Sequence, residues 1–355
     1  MSVVIVSDLH AHPHPRFASV TPEGVNSRFA HLLNVLDSVE HVIADTRPST
    51  LMLLGDLTHR RTFVSFAIYT PLVRWIARMP RDYGVQVVAV VGNHDWETRG
   101  AHSLGPLAEL PGVTVVDSPQ RIALAPGGPN AYVVPYLPDN EVAAAFQAPV
   151  RDAQLAFAHY ALDGKVLGTE YEYALPSPLR FEHVERFDRT FFGHVHAPSI
   201  EHAGKVVYVG APLHFDFGDA GNRFCWYIRA DDVDPTGWHV EPRVLCGPRF
   251  VTARYPKVPS PPAVGGYLRV LNAPPSEVAG IESAAADLGW LGCKAVPEDT
   301  PAELTVSIAR GFLVDEALIR SFVAERYGDL DDVARERIVA AGLRYLAQAH
   351  AVSRS

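Results

Sequence analysis

Cysteine is scarce: Cys225, Cys246 and Cys293 are the only three in 355 residues, odd in number and widely scattered. That usage provides no thiolate metal cluster, fits a reducing compartment, and leaves the thiols as small buried or half-buried hydrophobes. No uninterrupted apolar run approaches the ~18 residues of a membrane span. Met1-Ser2 leads directly into Val3-Val4-Ile5-Val6, without the basic segment and long apolar stretch of a secretory signal, so a cytoplasmic, non-membrane protein is expected. Positive charge is also in deficit, with 31 Lys and Arg against 40 Asp and Glu and a formal net charge of -9. An acidic balance argues against an autonomous, tight nucleic-acid binder. It still admits one whose bound metals and partner supply local positive potential.

What is abundant is apolar material, 48% of the residues, enough for one large domain and a smaller appendage. Short apolar runs at 3–7, 51–54 and 85–91 each end in polar residues, and helical spacing follows at 26–45 and again at 62–79, where Pro71 is expected to kink or divide the helix. Further short strands are expected at 113–117, 121–124, 130–135, 154–158, 190–192, 205–209 and 224–229. This repeated order of strand, polar loop and helix points to a layered α/β domain whose site collects at the strand ends. The many short strands favour an α/β/β/α sandwich of four layers over a single sheet. The proline-rich segment Pro256-Lys257-Val258-Pro259-Ser260-Pro261-Pro262 reads as a boundary. The expected division is therefore a domain over 1–255, a small α+β capping domain over 263–312 with a strand at 267–270 and a helix at 275–288, and a helical segment over 313–355. The apolar stripe of Val333, Ile338, Val339, Leu343 and Leu346 either packs on its own domain or meets a partner.

The polar residues behind the apolar runs are of one chemical kind. Asp8 and His10 alternate around Leu9, Asp56 follows Gly55, Asn93-His94-Asp95 follows Gly92, His159 ends a run, and His194 and His196 alternate after Gly193. Carboxylate, carboxamide and imidazole ligands in five separate segments suit a pair of divalent ions, which oxygen and imidazole donors alone do not distinguish as Mn, Fe or Zn. On an extended chain, Asp8 and His10 would leave the same side. Asp56 could place its oxygens between two ions about 3.5–4 Å apart, or simply cap a helix. His94 could protonate a leaving alkoxide, with Asp95 holding its ring in the right tautomer. Ser7 and Thr58 have no evident activating base, so a covalent intermediate is not required. Arg16, His59, Arg60, Arg61 and Arg99 lie near these loops as candidate phosphate contacts or ordinary surface groups. Trp96 reads either as a base-stacking platform or as a core or rim aromatic.

Taken together, Asp8-x-His10, Gly55-Asp56, Gly92-Asn93-His94-Asp95, His159 and Gly193-His194-x-His196 resemble the calcineurin-like metallophosphoesterase superfamily, over roughly residues 1–230. The resemblance implies that Asp8, His10 and His196 hold one metal, that Asn93, His159 and His194 hold the second, and that Asp56 bridges them. It also implies in-line attack on phosphorus by a metal-bridging hydroxide, with His94 as leaving-group acid or substrate-orienting residue. The segment from Val207 to Asp219 is similar to one in SbcD-type DNA repair nucleases and phage recombination endonucleases. That branch implies Mn as the working ion, DNA as substrate, a strand-positioning role for His59, and exo- or endonuclease action in recombination or double-strand-break repair. It further implies an SMC-like coiled-coil ATPase partner of the SbcC/Rad type docking on the terminal helices, a possible homodimer, and a nucleoid-associated or phage-infected cytoplasmic setting. A small-molecule phosphodiesterase, a phosphoprotein phosphatase and a nonenzymatic partner-recruiting scaffold are the alternatives on the same frame.

Overall fold

Alternation along the first strands determines the layering. In the computed structural model, which describes residues 1–148, 153–165, 177–234 and 237–297 with Arg320, Val323, 335–340 and Leu343 beyond them, Val3 and Ile5 face one core while Val4 and Val6 face another. Successive side chains of a strand point to opposite faces, so a strand apolar on both must be covered on both. The order runs β1 (Ser2–Val6), α1 (Ser27–Thr46), β2 (Thr50–Leu54), α2 (Phe66–Tyr83), β3 (Gln86–Val90), the hairpin β4 (Trp96–Thr98) and β5 (Ala101–His102), β6 (Val113–Val116), β7 (Gln120–Ala123) and β8 (Asn130–Val134). It continues through α3 (Asp139–Gln147), β9 (Ala153–His159), α4 (Phe181–Val184), β10 (Arg189–Gly193), β11 (Ser199–Glu201), β12 (Val206–Tyr208), β13 (Arg223–Ala230) and β14 (Trp238–Leu245). Last come β15 (Arg249–Arg254), β16 (Gly266–Ala273), α5 (Val278–Asp287) and β17 (Gly292–Pro297).

Two six-stranded sheets, ordered β14-β13-β1-β2-β3-β6 and β11-β12-β10-β9-β8-β7, form the centre. Between them lie Ile5, Met52, Leu54 and Val88 of the first sheet and Val133, Phe157, Phe191 and Val207 of the second. Outside the first sheet, α1 and α2 bury Leu36, Val39, Trp75 and Met79 against Val4, Val6 and Leu53. Outside the second, Val142, Phe146 and Val184 cover Tyr132, Ala156 and Phe192. The result is a mixed α/β sandwich with helices on both outer faces and a C-terminal α+β region.

Helix α1 starts where Asn26 Oδ1 accepts the backbone N–H groups of Arg28 and Phe29, at 3.1 and 3.2 Å. Helix α2 departs from expectation: it begins at Phe66 and runs through both Pro71 and Pro80 as one helix. Ile68, Leu72, Trp75, Ile76 and Met79 are all buried along one side. That apolar face anchors each turn and offsets the backbone bonds the prolines remove. Strand β14 was not evident in the sequence, since charged residues and Pro242 interrupt it. Its place at a sheet edge is what tolerates that proline.

The expected boundary near residue 255 is displaced. Strand β15 pairs in parallel with β16, from Arg249↔Gly266 to Arg254↔Leu271, and β16 pairs with β17. The proline-rich segment is thus the crossover inside this three-stranded sheet, not a border before it. The sheet packs on α5 through Leu268, Val270, Ile281, Ala285 and Trp290. Met1–Glu298 forms one compact unit and Asp299–Ser355 a second. In the second, the described residues are helical, and Arg320 pairs with Glu336 at 2.5 Å. The end of the capping domain expected over 263–312 and most of the helical segment expected over 313–355 lie outside the described residues. Among those residues no helix is long and apolar enough to cross a membrane.

Candidate metal centre

Five strand ends converge. The chain leaving β1 runs beside the chain leaving β2, with Asp8 N–H donating to Gly55 O at 3.0 Å, His10 N–H to Asp56 O at 2.9 Å and Ala11 N–H to Leu57 O at 3.0 Å. Ser7 Oγ–H donates to Leu54 O at 2.7 Å and ties the two strand ends together. The loop after β3 brings Asn93, His94 and Asp95. From the facing sheet, neighbouring strands β9 and β10 end at His159 and just before His194.

The backbone is strained at this junction. Asp8 (φ 57), His10 (φ 43), Asp56 (φ 51) and His194 (φ 78) are left-handed, four of nine such non-glycine residues among those described. Such conformations cost of order 1–3 kcal/mol each and persist where the surroundings over-determine them. Asp8 and His10 therefore reach the same place through left-handed turns, not through the strand alternation expected from sequence. Gly55 (φ +87) makes the turn before Asp56, and a Cβ there would stand 2.1 Å from His159 Nδ1. At Gly193 a Cβ would stand 2.3 Å from Leu54 O and 2.4 Å from Ser7 Oγ.

The side chains gather into two donor sets that contain a carboxylate, beside a third group of imidazoles alone, His10, His59 and His94. Asp8, His10 and His196 offer atoms all within 4.8 Å of one another, and so do Asp56, His159 and His194. His10 Nε2 faces His196 Nε2 at 3.0 Å. Asn93 Oδ1 lies 3.0 Å from His159 Nε2 and 2.9 Å from His194 Nδ1. Asp56 Oδ2 stands between the sets, 3.6 Å from His10 Nε2 and 3.4 Å from His159 Nε2. The backbone N–H of His194 donates to both Asp8 oxygens at 3.1 Å. His159 Nδ1 donates to Leu54 O at 2.8 Å, which turns Nε2 inward. Neutral His159 would then oppose a lone pair to the Asn93 oxygen, so a proton or a cation belongs between them. The donors are hard oxygens and imidazoles without thiolate, a set that fits divalent ions of the Mn, Fe and Zn group.

The electrostatics agree with that fit. Burial penalises charge on Asp56, yet the imidazoles of His159, His10 and His94 together outweigh burial and hold the carboxyl well below its usual range. Burial likewise opposes charge on His159, but the Asp56 carboxylate more than offsets it and pushes the imidazole up to about 9. Burial lowers His10 well below its ordinary value and, with His159 nearby, lowers His194 to about 3. Burial raises Asp8.

His94 sits at the mouth of the centre, its backbone N–H donating to Asp56 Oδ1 at 2.7 Å. Its Nδ1 donates to the carbonyl of His59 at 2.7 Å, and the two rings stack at 5.3 Å and 19°. The expected role of Asp95 in holding that ring is not what the structure shows. Asp95 turns inward, taking the N–H groups of Leu57, Thr58 and Gly92 at 3.2, 2.8 and 3.1 Å and the Thr58 hydroxyl at 3.0 Å. It braces the loops that carry Asp56 and Asn93, while burial and the charge of Asp56 push its carboxyl up to about 7. His59 Nδ1 also lies 3.2 Å from His10 Nδ1.

The other sequence candidates scatter. Arg99 pairs with Glu141 at 2.6 Å on the surface. Arg16 lies over the rings of Phe17 and Phe217. Trp96 is half-buried and packs edge-on to Tyr136, a rim aromatic. Arg61 hydrogen-bonds Tyr136, and Arg60 adds positive charge near His12. Residues that the reading passed over include Phe215, edge-on to both His10 and His196, and Tyr160, stacked on His194. His12 and His14, interleaved with Pro13 and Pro15, lie with their rings 4.9 and 5.5 Å from that of His59.

A family profile described as calcineurin-like phosphoesterase matches residues 1–198, which include all seven ligand candidates. The chain belongs to the calcineurin-like phosphoesterase family. Similar solved structures include Yfce, a phosphoesterase from E. coli, at 17% identity, covering 65% of this chain and 89% of that one with a TM-score of 0.32. A dimetal phosphatase from Danio rerio is 9% identical over 64% and 92%, with a TM-score of 0.37. A 5'-nucleotidase precursor from Thermus thermophilus is 14% identical over 69% and 54%, with a TM-score of 0.35. No curated protein matches the sequence. Membership and the two donor sets together support metal-dependent phosphoester hydrolysis and leave the substrate open.

Proposed function

We propose that this phosphoesterase hydrolyses phosphodiesters or phosphomonoesters of small molecules at two divalent ions, with Mn2+ the first ion to test and Fe and Zn next. One observation carries the reading: Asp56 Oδ2 lies between an imidazole of each donor set, at 3.6 and 3.4 Å. Asp8, His10 and His196 would hold one ion, Asn93, His159 and His194 the other, and Asp56 would join them. Such ions supply Lewis-acid stabilisation of charge on the phosphoryl oxygens and make water acidic enough to attack phosphorus.

The chain's own residues supply orientation and proton transfer. Leu54 O keeps the Nδ1 proton on His159 and so presents Nε2 to the centre. The His59 carbonyl does the same for His94, so that in its doubly protonated form the ring can give its Nε2 proton to the departing alkoxide and keep the one on Nδ1. Ser7 is buried with its hydroxyl donated to Leu54 O, and Thr58 is buried against Asp95, which supports direct attack by water over a covalent intermediate. Turnover of bis(p-nitrophenyl) phosphate and p-nitrophenyl phosphate after reloading with Mn2+, against a chelator-treated control, tests the reading. Absence of turnover with every one of Mn, Fe and Zn would contradict it.

A DNA nuclease reading is favoured by a different observation, the His59 ring stacked beside His94 where a leaving strand would depart. On that reading the chain is the exo- or endonuclease subunit of a recombination or break-repair complex, and residues 313–355 dock an SMC-like ATPase. Labelled single- and double-stranded DNA in the same assay separates the two. Small-ester turnover without DNA cleavage eliminates the nuclease, and cleavage of DNA in preference to small esters installs it.

A further inference from the structure

Sharing His10 with the metal centre is a small open cleft whose lining carries five of the chain's 16 histidines, one arginine and no carboxylate. Its floor is Arg28, in the first turn of α1 and only 9% exposed. The guanidinium donates to Phe215 O at 2.7 Å and Arg16 O at 3.4 Å, and rests over the rings of Phe250 and Tyr267 at 5.0 and 5.6 Å. Among the described residues no carboxylate comes within 4.0 Å of it; nearby Asp219 is instead engaged by Arg223 at 2.7 Å and by Phe215 N–H at 2.6 Å.

A buried cation with no direct ion-pair partner is costly even with the charges of Asp216 and Asp219 nearby, and here a helix N-terminus with no acidic residue in its first turn adds to the positive potential. The walls add further imidazole nitrogens. His14 Nε2 is buried without a hydrogen-bond partner, and His31 shares a hydrogen bond of 3.2 Å with the Tyr267 hydroxyl. Imidazoles alone would suit a third metal ion, but Arg28 repels a cation and so decides between the two ligand types. Phe215 joins cleft to centre, its ring 5.8 Å from His14 and 5.4 Å from His10.

We infer that Arg28, His14, His12 and His31 form an anion subsite that takes a second phosphate of the substrate, next to the phosphate being hydrolysed. The inference rests on the phosphoesterase reading and narrows it. The preferred substrates are phosphoesters with a further phosphate close by, such as a nucleotide chain or a nucleoside polyphosphate. Arg28 would offer its charge and remaining N–H groups, and the imidazoles would cover the other oxygens.

Two measurements on the full chain test it. Calorimetric titration of inorganic phosphate into the metal-free protein isolates the cleft, because phosphate has no ions to bridge there. Wild type should bind, and Arg28→Gln, His14→Gln and His31→Gln should each weaken binding about tenfold or more, with melting temperatures identifying any variant that fails to fold. No binding by wild type, equal binding in all folded variants, or uptake of a third metal ion would overturn the subsite. In the metal-loaded protein, a thymidine dinucleotide bearing a terminal phosphate should show a KM about tenfold or more below that of the same dinucleotide without it, and Arg28→Gln should bring the two KM values together. Equal KM values in wild type would remove the substrate role while leaving phosphoester hydrolysis standing. Loss of all dinucleotide turnover with phosphate binding intact would make free phosphate the ligand and likewise overturn the substrate role.

Discussion

His10 and His159 hold corresponding places in the two donor sets, yet they are held by different kinds of partner. His159 ends a strand buried in the sandwich, and its outer nitrogen is fixed by a main-chain carbonyl at 2.8 Å. His10 sits on a loop, and its outer nitrogen meets another side chain, His59, at 3.2 Å. Their charges differ in the same sense. Asp56 beside His159 overcomes burial and holds it protonated up to about 9, whereas burial keeps His10 neutral. One set is thus part of the rigid sheet frame, and the other shares its support with the residues facing substrate. Substrate adaptation within such a centre has room on the His10 side and little on the His159 side.

The comparison can be broken most severely through the residue common to both sets. Asp56→Asn should release both ions and lower ester turnover by more than the roughly 100-fold that loss of a supporting partner costs, as read by metal content and by activity on bis(p-nitrophenyl) phosphate. Retention of both ions would remove the bridging role. His94→Gln should keep both ions and lower turnover roughly 10²–10⁴-fold on esters with alkoxide leaving groups. Its effect should be much smaller on p-nitrophenyl esters, whose leaving group needs no proton. An equal loss on both ester types would assign His94 to positioning instead.

The two sides separate at smaller magnitude. Gly55→Ala drives a Cβ into the His159 ring and should displace the ion of that set alone, leaving about one ion per chain and costing roughly 10–100-fold in activity. His59→Ala should loosen His10 by less, about tenfold in metal affinity, and equal effects from the two changes would erase the distinction between main-chain and side-chain support. The smallest signal is a proton count. Because His159 in the metal-free protein is protonated below about 9, metal binding at pH 7.5 should release its proton. Metal affinity should rise with pH until about 9, and calorimetry in buffers of different ionisation enthalpy reads the release. Affinity that levels off near the ordinary histidine value would contradict the coupling of His159 to Asp56.

Much of this was legible in the chain because each ligand follows an apolar run that can only be a buried strand. Val3–Val6, Leu51–Leu54, Val87–Val91 and Leu155–Ala158 announce both the sheets and the positions at their ends. The neighbours of His94 were less legible. Asp95 adjoins it in sequence, but a chain turning out of β3 points successive residues to different sides. The orienting atom instead comes from the main chain of His59, which no side-chain pattern displays. Strand β15 was missed for a related reason: proline content marks Pro256–Pro262 as an interruption, while the pairing of Arg249–Arg254 with Gly266–Ala273 is non-local. The Arg28 cleft is assembled from the N-terminal loop, α1, the segment around Phe215, Pro248 before β15, and β16, so its charge imbalance emerges only when the five are folded together.

The central claim is that two ions, joined through Asp56, make this chain a phosphoesterase. Stripping the protein with chelator and titrating Mn2+ back, with bound metal and bis(p-nitrophenyl) phosphate turnover read on the same samples, tests it most directly. Activity should be absent from the metal-free chain and should rise to a plateau at two bound ions per chain. Turnover that persists without metal, or saturates at a single bound ion, would contradict the account.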